Sequence, residues 1–332
     1  MTQVLLKKDL LPWLSQLLKE RTLNAPTSIS GLILFQPISQ VEDILLNFDN
    51  TSLSPKEWFF PTTETLFWVE RKDGRTELIP AEVEQEVVIF GLRPCDAQGI
   101  SLMDKSFLAE PADTFYQRHR DKATLVGLSC PRPAPECFCT SLGSAPDDAS
   151  NLDALLTEIE EGYIIQIVTD KGKVLFSTAP LVDSEVIPPP LPSLPPIPTE
   201  GISEVVQRVF DSLYWERLAD RCLHCNICAY VCPTCYCFDI RDYVNQGRVE
   251  RVRSWESCQS RGFTRQAGGI EPRTTKGARL RQRFYHKLLY FPEKFGALGC
   301  VGCGRCVKAC PVNIDIREVI SDIQKLGAKG GG

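Results

Sequence analysis

The chain has 332 residues, 43% of them hydrophobic and 24% charged, which is enough for two ordinary domains with cores of their own and excludes a small disulfide-stapled scaffold. Lys and Arg total 37 against 42 Asp and Glu, a net charge of -5, so the chain lacks the overall basic field that non-specific nucleic-acid binding needs. Fifteen cysteines accompany only 3 His and 2 Met, and an odd number in tight runs of four reads as metal ligation in a reducing compartment, not as an extracellular disulfide framework.

The N-terminal segment carries Lys7, Lys8 and Asp9 without a small-residue cleavage site, and no apolar run reaches the roughly 18 residues of a membrane span. The sequence therefore points to a cytoplasmic protein. Apolar spacing predicts a helix from Leu5 to Arg21 and strands over 30–38 and 86–92, the second running into Arg93-Pro94-Cys95-Asp96. A similar strand, 123–130, ends on Cys130. Both place a cysteine at the carboxyl end of a strand, where open α/β sheets commonly build their sites. Segments 163–170 and 173–178 around Lys171-Gly172 read as a β-hairpin.

Seven prolines fall within residues 188–198, which favours extended polyproline geometry and marks a linker over 188–200. Beyond it, 202–222 and 314–326 read as amphipathic helices, and the glycine-rich tail as disordered. The expected fold is α+β: a mixed α/β domain over 1–187, then a mostly helical, ferredoxin-like domain over 201–332. The sequence contains no GxGxxG after a strand, no P-loop and no hydrolase motif, so no flavin or nucleotide site is read in this chain. His119, His224 and His286 are scattered; His286 reads as a helix-face residue, and His224 lies where it can reach a cluster sulfide.

Two runs carry the chemistry: Cys222, Cys225, Cys228 and Cys232 before Pro233, and Cys300, Cys303, Cys306 and Cys310 before Pro311. Both fit CxxCxxCxxxCP, in which three closely spaced thiolates hold one cluster and the fourth reaches across to the other. Cys222, Cys225, Cys228 and Cys310 are thereby expected to hold one [4Fe–4S] cluster, and Cys300, Cys303, Cys306 and Cys232 a second. Gly302 and Gly304 should let backbone amides approach the sulfides, and each proline should turn the chain into a helix. Zinc also takes four-cysteine sites, but it leaves the third CxxC step and the terminal Cys-Pro unexplained. The 67 intervening residues suggest a scaffold that resembles the helical ferredoxin domains of respiratory and heterodisulfide reductase subunits.

Cys95, Cys130, Cys137 and Cys139 form a candidate third cluster site, with structural zinc or a redox dithiol as the other readings. Cys235, Cys237 and Cys258 stay unassigned: hydrophobic packing, alternative ligation and a further metal all suit them. Residues 241–287 hold 12 Lys and Arg against 4 Asp and Glu. Such a segment would raise the potential of a nearby cluster or dock an acidic partner, and it also suits a solvated helical face.

In order along the chain, GLRPCDAQGI, CPRPAPECFCTSLG, the first cysteine run continuing into CPTCYCFD, RSWESCQ and CVGCGRCVKACPVNIDI resemble the family that includes the anaerobic sulfite reductase A subunit and the sulfhydrogenase beta subunit. The likeness covers roughly residues 55 to 320. It implies a non-catalytic iron–sulfur electron-transfer subunit of a hetero-oligomeric complex used in anaerobic metabolism. Its neighbours would be a flavin and NAD(P)-binding reductase-like subunit and a terminal catalytic subunit of hydrogenase, sulfite reductase or heterodisulfide reductase type. All seven cysteines outside the two assigned sets fall on family cysteine positions. A rival reading has the N-terminal four reduce sulfur or a disulfide directly.

Overall fold

A computed structural model describes residues 2–82, 85–245 and 247–328. The last four residues of the glycine-rich tail, 329–332, lie outside the described residues. The first half contributes β1 (Thr2–Leu6), β2 (Thr22–Ile29), β3 (Leu32–Pro37), β4 (Thr63–Lys72), β5 (Arg75–Pro80), β6 (Val87–Leu92), β7 (Ala123–Leu128), β8 (Ala154–Glu158), β9 (Gly162–Ile167) and β10 (Leu181–Ser184). Its helices are α1 (Lys7–Glu20), α2 (Pro94–Phe107), α3 (Thr114–Lys122) and α4 (Asp170–Phe176). The second half adds α5 (Ile202–Arg208), α6 (Tyr214–Arg221), α7 (Ile227–Tyr230), β11 (Phe238–Asn245), β12 (Arg248–Trp255), α8 (Lys276–Tyr285), α9 (Phe291–Phe295), α10 (Arg305–Lys308) and α11 (Ile316–Ala328). A π-helical turn, His286–Tyr290, joins α8 to α9.

An eight-stranded sheet runs β10-β1-β9-β8-β7-β6-β2-β3, with β2, β6, β7 and β8 parallel. The unbroken apolar runs of β6 and β7 follow from this, because central parallel strands are covered on both faces. One face packs with α1 through Leu10, Trp13, Leu14 and Leu17, spaced as one helical stripe. The other packs with α2, α3, Phe59 and Phe60. In the second half, α5, α6, α8 and α11 close a separate core around Trp215, Phe284, Leu288 and Ile320, into which Phe138 of the first half inserts. The fold is α+β, as the sequence predicts.

Four local expectations need correction. The first helix begins at Lys7, because Val4 and Leu5 are taken up as buried strand residues between β9 and β10. The hairpin expected over 163–178 does not form. Instead β9 pairs with β8 and β1, and the Lys171-Gly172 stretch is helical because the Thr169 hydroxyl caps it, accepting from the Gly172 N–H. Helix 202–222 is broken at 209–213, where the Trp215 indole takes the Val209 carbonyl at 2.8 Å and the Tyr285 hydroxyl takes that of Val206 at 2.5 Å. Pro233 leads not into a helix but toward β11, and its ring packs on α2 at Gly99, where an added Cβ would lie 2.7 Å from it.

A second, antiparallel sheet runs β11-β12-β4-β5. It joins strands from either side of the proline-rich segment, which itself forms neither helix nor strand and is tied at its end through Ile197 N–H to Ser141 Oγ. Arg253 of β12 is 1% exposed and bonds Glu64 of β4 and Asp113, each at 2.6 Å, while His119 meets the other Glu64 oxygen at 3.0 Å. Removing one partner of a buried pair typically costs about 3 to 5 kcal/mol. Arg253→Met should therefore lower unfolding stability by about that amount, read from the urea midpoint of the full chain; a loss below about 1 kcal/mol, the worth of a surface pair, would mean that this network does not hold the two halves together.

Candidate metal centres

Cys222, Cys225, Cys228 and Cys310 line one cavity, and Cys306 stands in its wall. Helix α6 delivers Cys222 at its carboxyl end, and left-handed backbone at His224 and Asn226 curls the loop around the void. Three N–H donors point at its sulfurs: His224 N to Cys222 at 3.4 Å, Gln259 Nε2 to Cys228 at 3.2 Å and Ile314 N to Cys310 at 3.2 Å. Such bonds stabilise negative charge on ligand sulfur. The His224 contribution comes from its backbone; neither ring nitrogen has a partner among the described residues.

Cys232, Cys300, Cys303 and Cys306 form the second group. The Cys232 charge reaches each of the other three. Burial pushes the Cys303 thiol up to about 12 and those of Cys300 and Cys306 to about 11, so only a cation in the site makes thiolates of them near neutral pH. Buried Lys287 donates to Cys232 Sγ at 3.2 Å, Thr234 Oγ1 at 2.7 Å and Gly299 O at 3.0 Å. Burial works against its charge, but Cys232 and Cys235 outweigh that and hold the ammonium above its ordinary value. Arg283, 4% exposed, donates to Cys228 O at 3.3 Å. The basic segment 241–287 is thus partly turned inward: Arg253, Arg279, Arg283 and Lys287 are all buried.

Cys95, Cys130, Cys137 and Cys139 line a third cavity, with Gly302 and Cys303 on its far wall. Cys95 sits in the first turn of α2 after β6, and Cys130 just beyond β7, as the strand-end reading anticipates. Burial pushes the Cys137 and Cys139 thiols up to about 11. Arg93 braces the site by donating to the carbonyls of Leu128, Ser129 and Phe48. The glycines of the second run serve this junction: a Cβ on Gly302 would lie 2.6 Å from Cys139 N, and one on Gly304 2.7 Å from Glu136 Cβ. Arg305 completes it, bonding Asp96 at 2.7 Å, Thr51 O at 2.9 Å and Thr51 Oγ1 at 2.7 Å.

Cys235, Cys237 and Cys258 are brought together beside Cys232. Lys56, Arg283, Lys287 and Arg305 were not visible as site residues in the sequence. The charge excess of 241–287 was the one available signal for Arg283 and Lys287; for Lys56, in Ser-Pro-Lys-Glu-Trp, there was none.

Among the described residues, no three His, Cys, Asp or Glu side chains converge to hold a single metal ion, as zinc requires with sulfur at about 2.3 Å. The first and third cysteine sets instead line cavities. Residues 221–314 match the family described as a 4Fe-4S dicluster domain. Over 305 residues, 88% of this chain and 89% of the relative, the sequence is 30% identical to sulfhydrogenase 2 subunit beta of Pyrococcus furiosus. The chain belongs to the sulfhydrogenase beta subunit family. No solved structure matches it. This family member is an iron–sulfur electron-transfer subunit, and no described helix is long and apolar enough to cross a membrane.

Gly302→Ala should lower the urea midpoint by the equivalent of about 2 to 5 kcal/mol, combining a left-handed backbone cost of about 1 to 2 with overpacking of about 1 to 3. Gly296→Ala, also at positive φ but with nothing within 4 Å of the added Cβ, should lose only the backbone part. Equal losses in the two variants would contradict the close approach of the second run to the Cys139 loop.

Proposed function

We propose that this chain relays single electrons within a cytoplasmic complex, between a flavin and NAD(P)H-type subunit and a terminal catalytic subunit of hydrogenase, sulfite reductase or heterodisulfide reductase type. The observation that carries the reading is contiguity: Cys306 stands in the wall of the first cavity and Cys303 in that of the third, so the second cysteine group borders both. Cys222, Cys225, Cys228 and Cys310 would hold one [4Fe–4S] cluster, Cys232, Cys300, Cys303 and Cys306 another, and Cys95, Cys130, Cys137 and Cys139 a third. Bound clusters supply one-electron chemistry at potentials set by charge, hydrogen bonding and burial.

The chain's own part is to place and tune. Donors from His224, Gln259 and Ile314 favour added electron density on the first group. Lys287 and Arg283 put buried positive charge beside the second. The alternative, direct reduction of sulfur or a disulfide by the N-terminal cysteines, needs a low-pKa reachable thiol, whereas burial holds Cys95, Cys130, Cys137 and Cys139 above the ordinary thiol value.

Anaerobic iron analysis of the full chain should show the Cys95→Ser/Cys137→Ser variant losing about 4 iron atoms relative to the wild type, one cubane's worth. No change would remove the third cluster from the relay, and turnover of polysulfide by the isolated chain would favour the catalytic alternative. Lys287→Met should make the adjoining centre harder to reduce. A charge at about 4 Å is worth about 4 kcal/mol at an effective dielectric of 20, and about 59 mV is a tenfold change for one electron. The midpoint in an EPR-monitored titration should therefore fall by on the order of 100 mV; an unmoved midpoint would separate Lys287 from the redox centre.

A further inference from the structure

The three cysteines outside these sets meet at one end of the four-stranded sheet. Cys237 directly precedes β11 and Cys258 follows β12 by three residues, and the pairing Phe238↔Trp255 closes that end of the hairpin. The Glu256 N–H donating to Cys237 O at 2.9 Å extends it by one step. The thiols of Cys237 and Cys258 pair with each other, and Cys258 also feels the charge of Cys235. Cys235 and Cys237 flank Tyr236 in the segment that leads into β11. Tyr236 between them packs on Phe107 and His286.

Lys56 reaches this end from the helical turn before β4. It is 2% exposed, donates to Cys235 O at 2.8 Å and lies 4.0 Å from the centre of the Trp255 ring. Among the described residues, no carboxylate forms an ion pair with it. The charges it meets are those of Cys235, Cys232 and Cys237, with Lys287 as a second cation. A buried ammonium needs compensating charge, and the groups that weigh most on Lys56 are these sulfurs, ahead of the adjacent half-buried Glu57 that also feels it. Small-hydrophobe packing of these cysteines gives no reason for Lys56 to be buried among them.

We propose that Cys235, Cys237 and Cys258 are the ligands of a further iron–sulfur cluster, a three-cysteine site at the end of the second sheet with Lys56 as its buried counter-charge. It rests on the iron–sulfur reading of the chain but not on the third cavity. Cys235 pairs with Cys232, so the site lies directly against the second cysteine group. Three thiolates suit a three-iron cluster, or a cubane with one iron served by another ligand.

The full chain carrying Cys95→Ser/Cys137→Ser is reconstituted anaerobically and its iron and sulfide are measured, with and without Cys258→Ser or Cys237→Ser. The proposal expects about 11 to 12 iron atoms in the first variant, two cubanes plus three or four, falling to about 8 when either thiol is removed. A first variant holding about 8 overturns it, as does a higher count that both substitutions leave unchanged. Circular dichroism checks that each variant is folded. If Cys258→Ser fails to fold, Cys237→Ser and the parent count still decide. Failure of the third-cavity reading shows separately, as equal iron in the wild type and Cys95→Ser/Cys137→Ser while the Cys258 step persists.

Discussion

Everything in the second half of this protein depends on burying sulfur charge against fixed cations. Thiolates taken out of water are tolerated only with positive charge nearby, and the chain supplies it from Lys56, Arg283, Lys287 and Arg305, none more than 4% exposed. Of these four, only Arg305 has a carboxylate partner, Asp96, among the described ion pairs. The others are held by backbone carbonyls, hydroxyls, an aromatic face and the cysteines themselves. Without a ligand the arrangement is unbalanced: burial brings Lys56 down to about 8, and Cys300 and Cys306 up to about 11. Metal binding is therefore linked to proton release at Cys300 and Cys306, whose buried thiols become thiolates only when the site is filled.

The same requirement explains why two halves separated by a proline-rich segment interlock so tightly. Cations near the C-terminal cysteines come partly from the N-terminal half, as Lys56 does, while Arg305 runs the other way to Asp96 and Thr51. Phe138 donates its N–H to Gly302 O at 2.8 Å, and Asn50 Nδ2 donates to Cys303 O at 3.0 Å. Each contact excludes water from the region where a one-electron carrier would sit, and burial is one of the levers on its potential.

What could be read in the sequence was what is local. CxxCxxCxxxCP carries its meaning within twelve residues, and strands 86–92 and 123–130 announce themselves by unbroken apolar character, so both cysteine runs and the strand-end cysteines were visible. The gathering of Cys222, Cys225, Cys228 and Cys310 around one cavity follows from the crossover logic of the motif. Local signals failed where a tertiary partner outcompeted them. Lys171-Gly172 looked like a turn but is helical under the Thr169 cap, and the apolar stripe of 202–222 is interrupted because Trp215 and Tyr285 claim its carbonyls. Lys56 was invisible for a simpler reason: its contacts lie 173 and 179 residues away.

The two cysteine runs share one pattern but differ in the residues between the cysteines, and the structure gives the difference a cause. The first run has Leu223 and Ile227, 63% and 37% exposed, and Cys225 itself is exposed. The second has Val301 at 2%, and two glycines whose missing Cβ atoms make room for the Glu136–Cys139 loop. The glycines expected to admit amides toward cluster sulfur also admit another stretch of the protein: the Gly302 N–H reaches Cys300, and the missing Cβ makes room for the Cys139 loop. Within nearly identical motifs, bulky intervening residues mark the site facing outward and small ones mark the site clamped between neighbours. By that criterion the second cysteine group is the interior junction of the chain, and the first, with its exposed rim, is the side better placed to meet another protein.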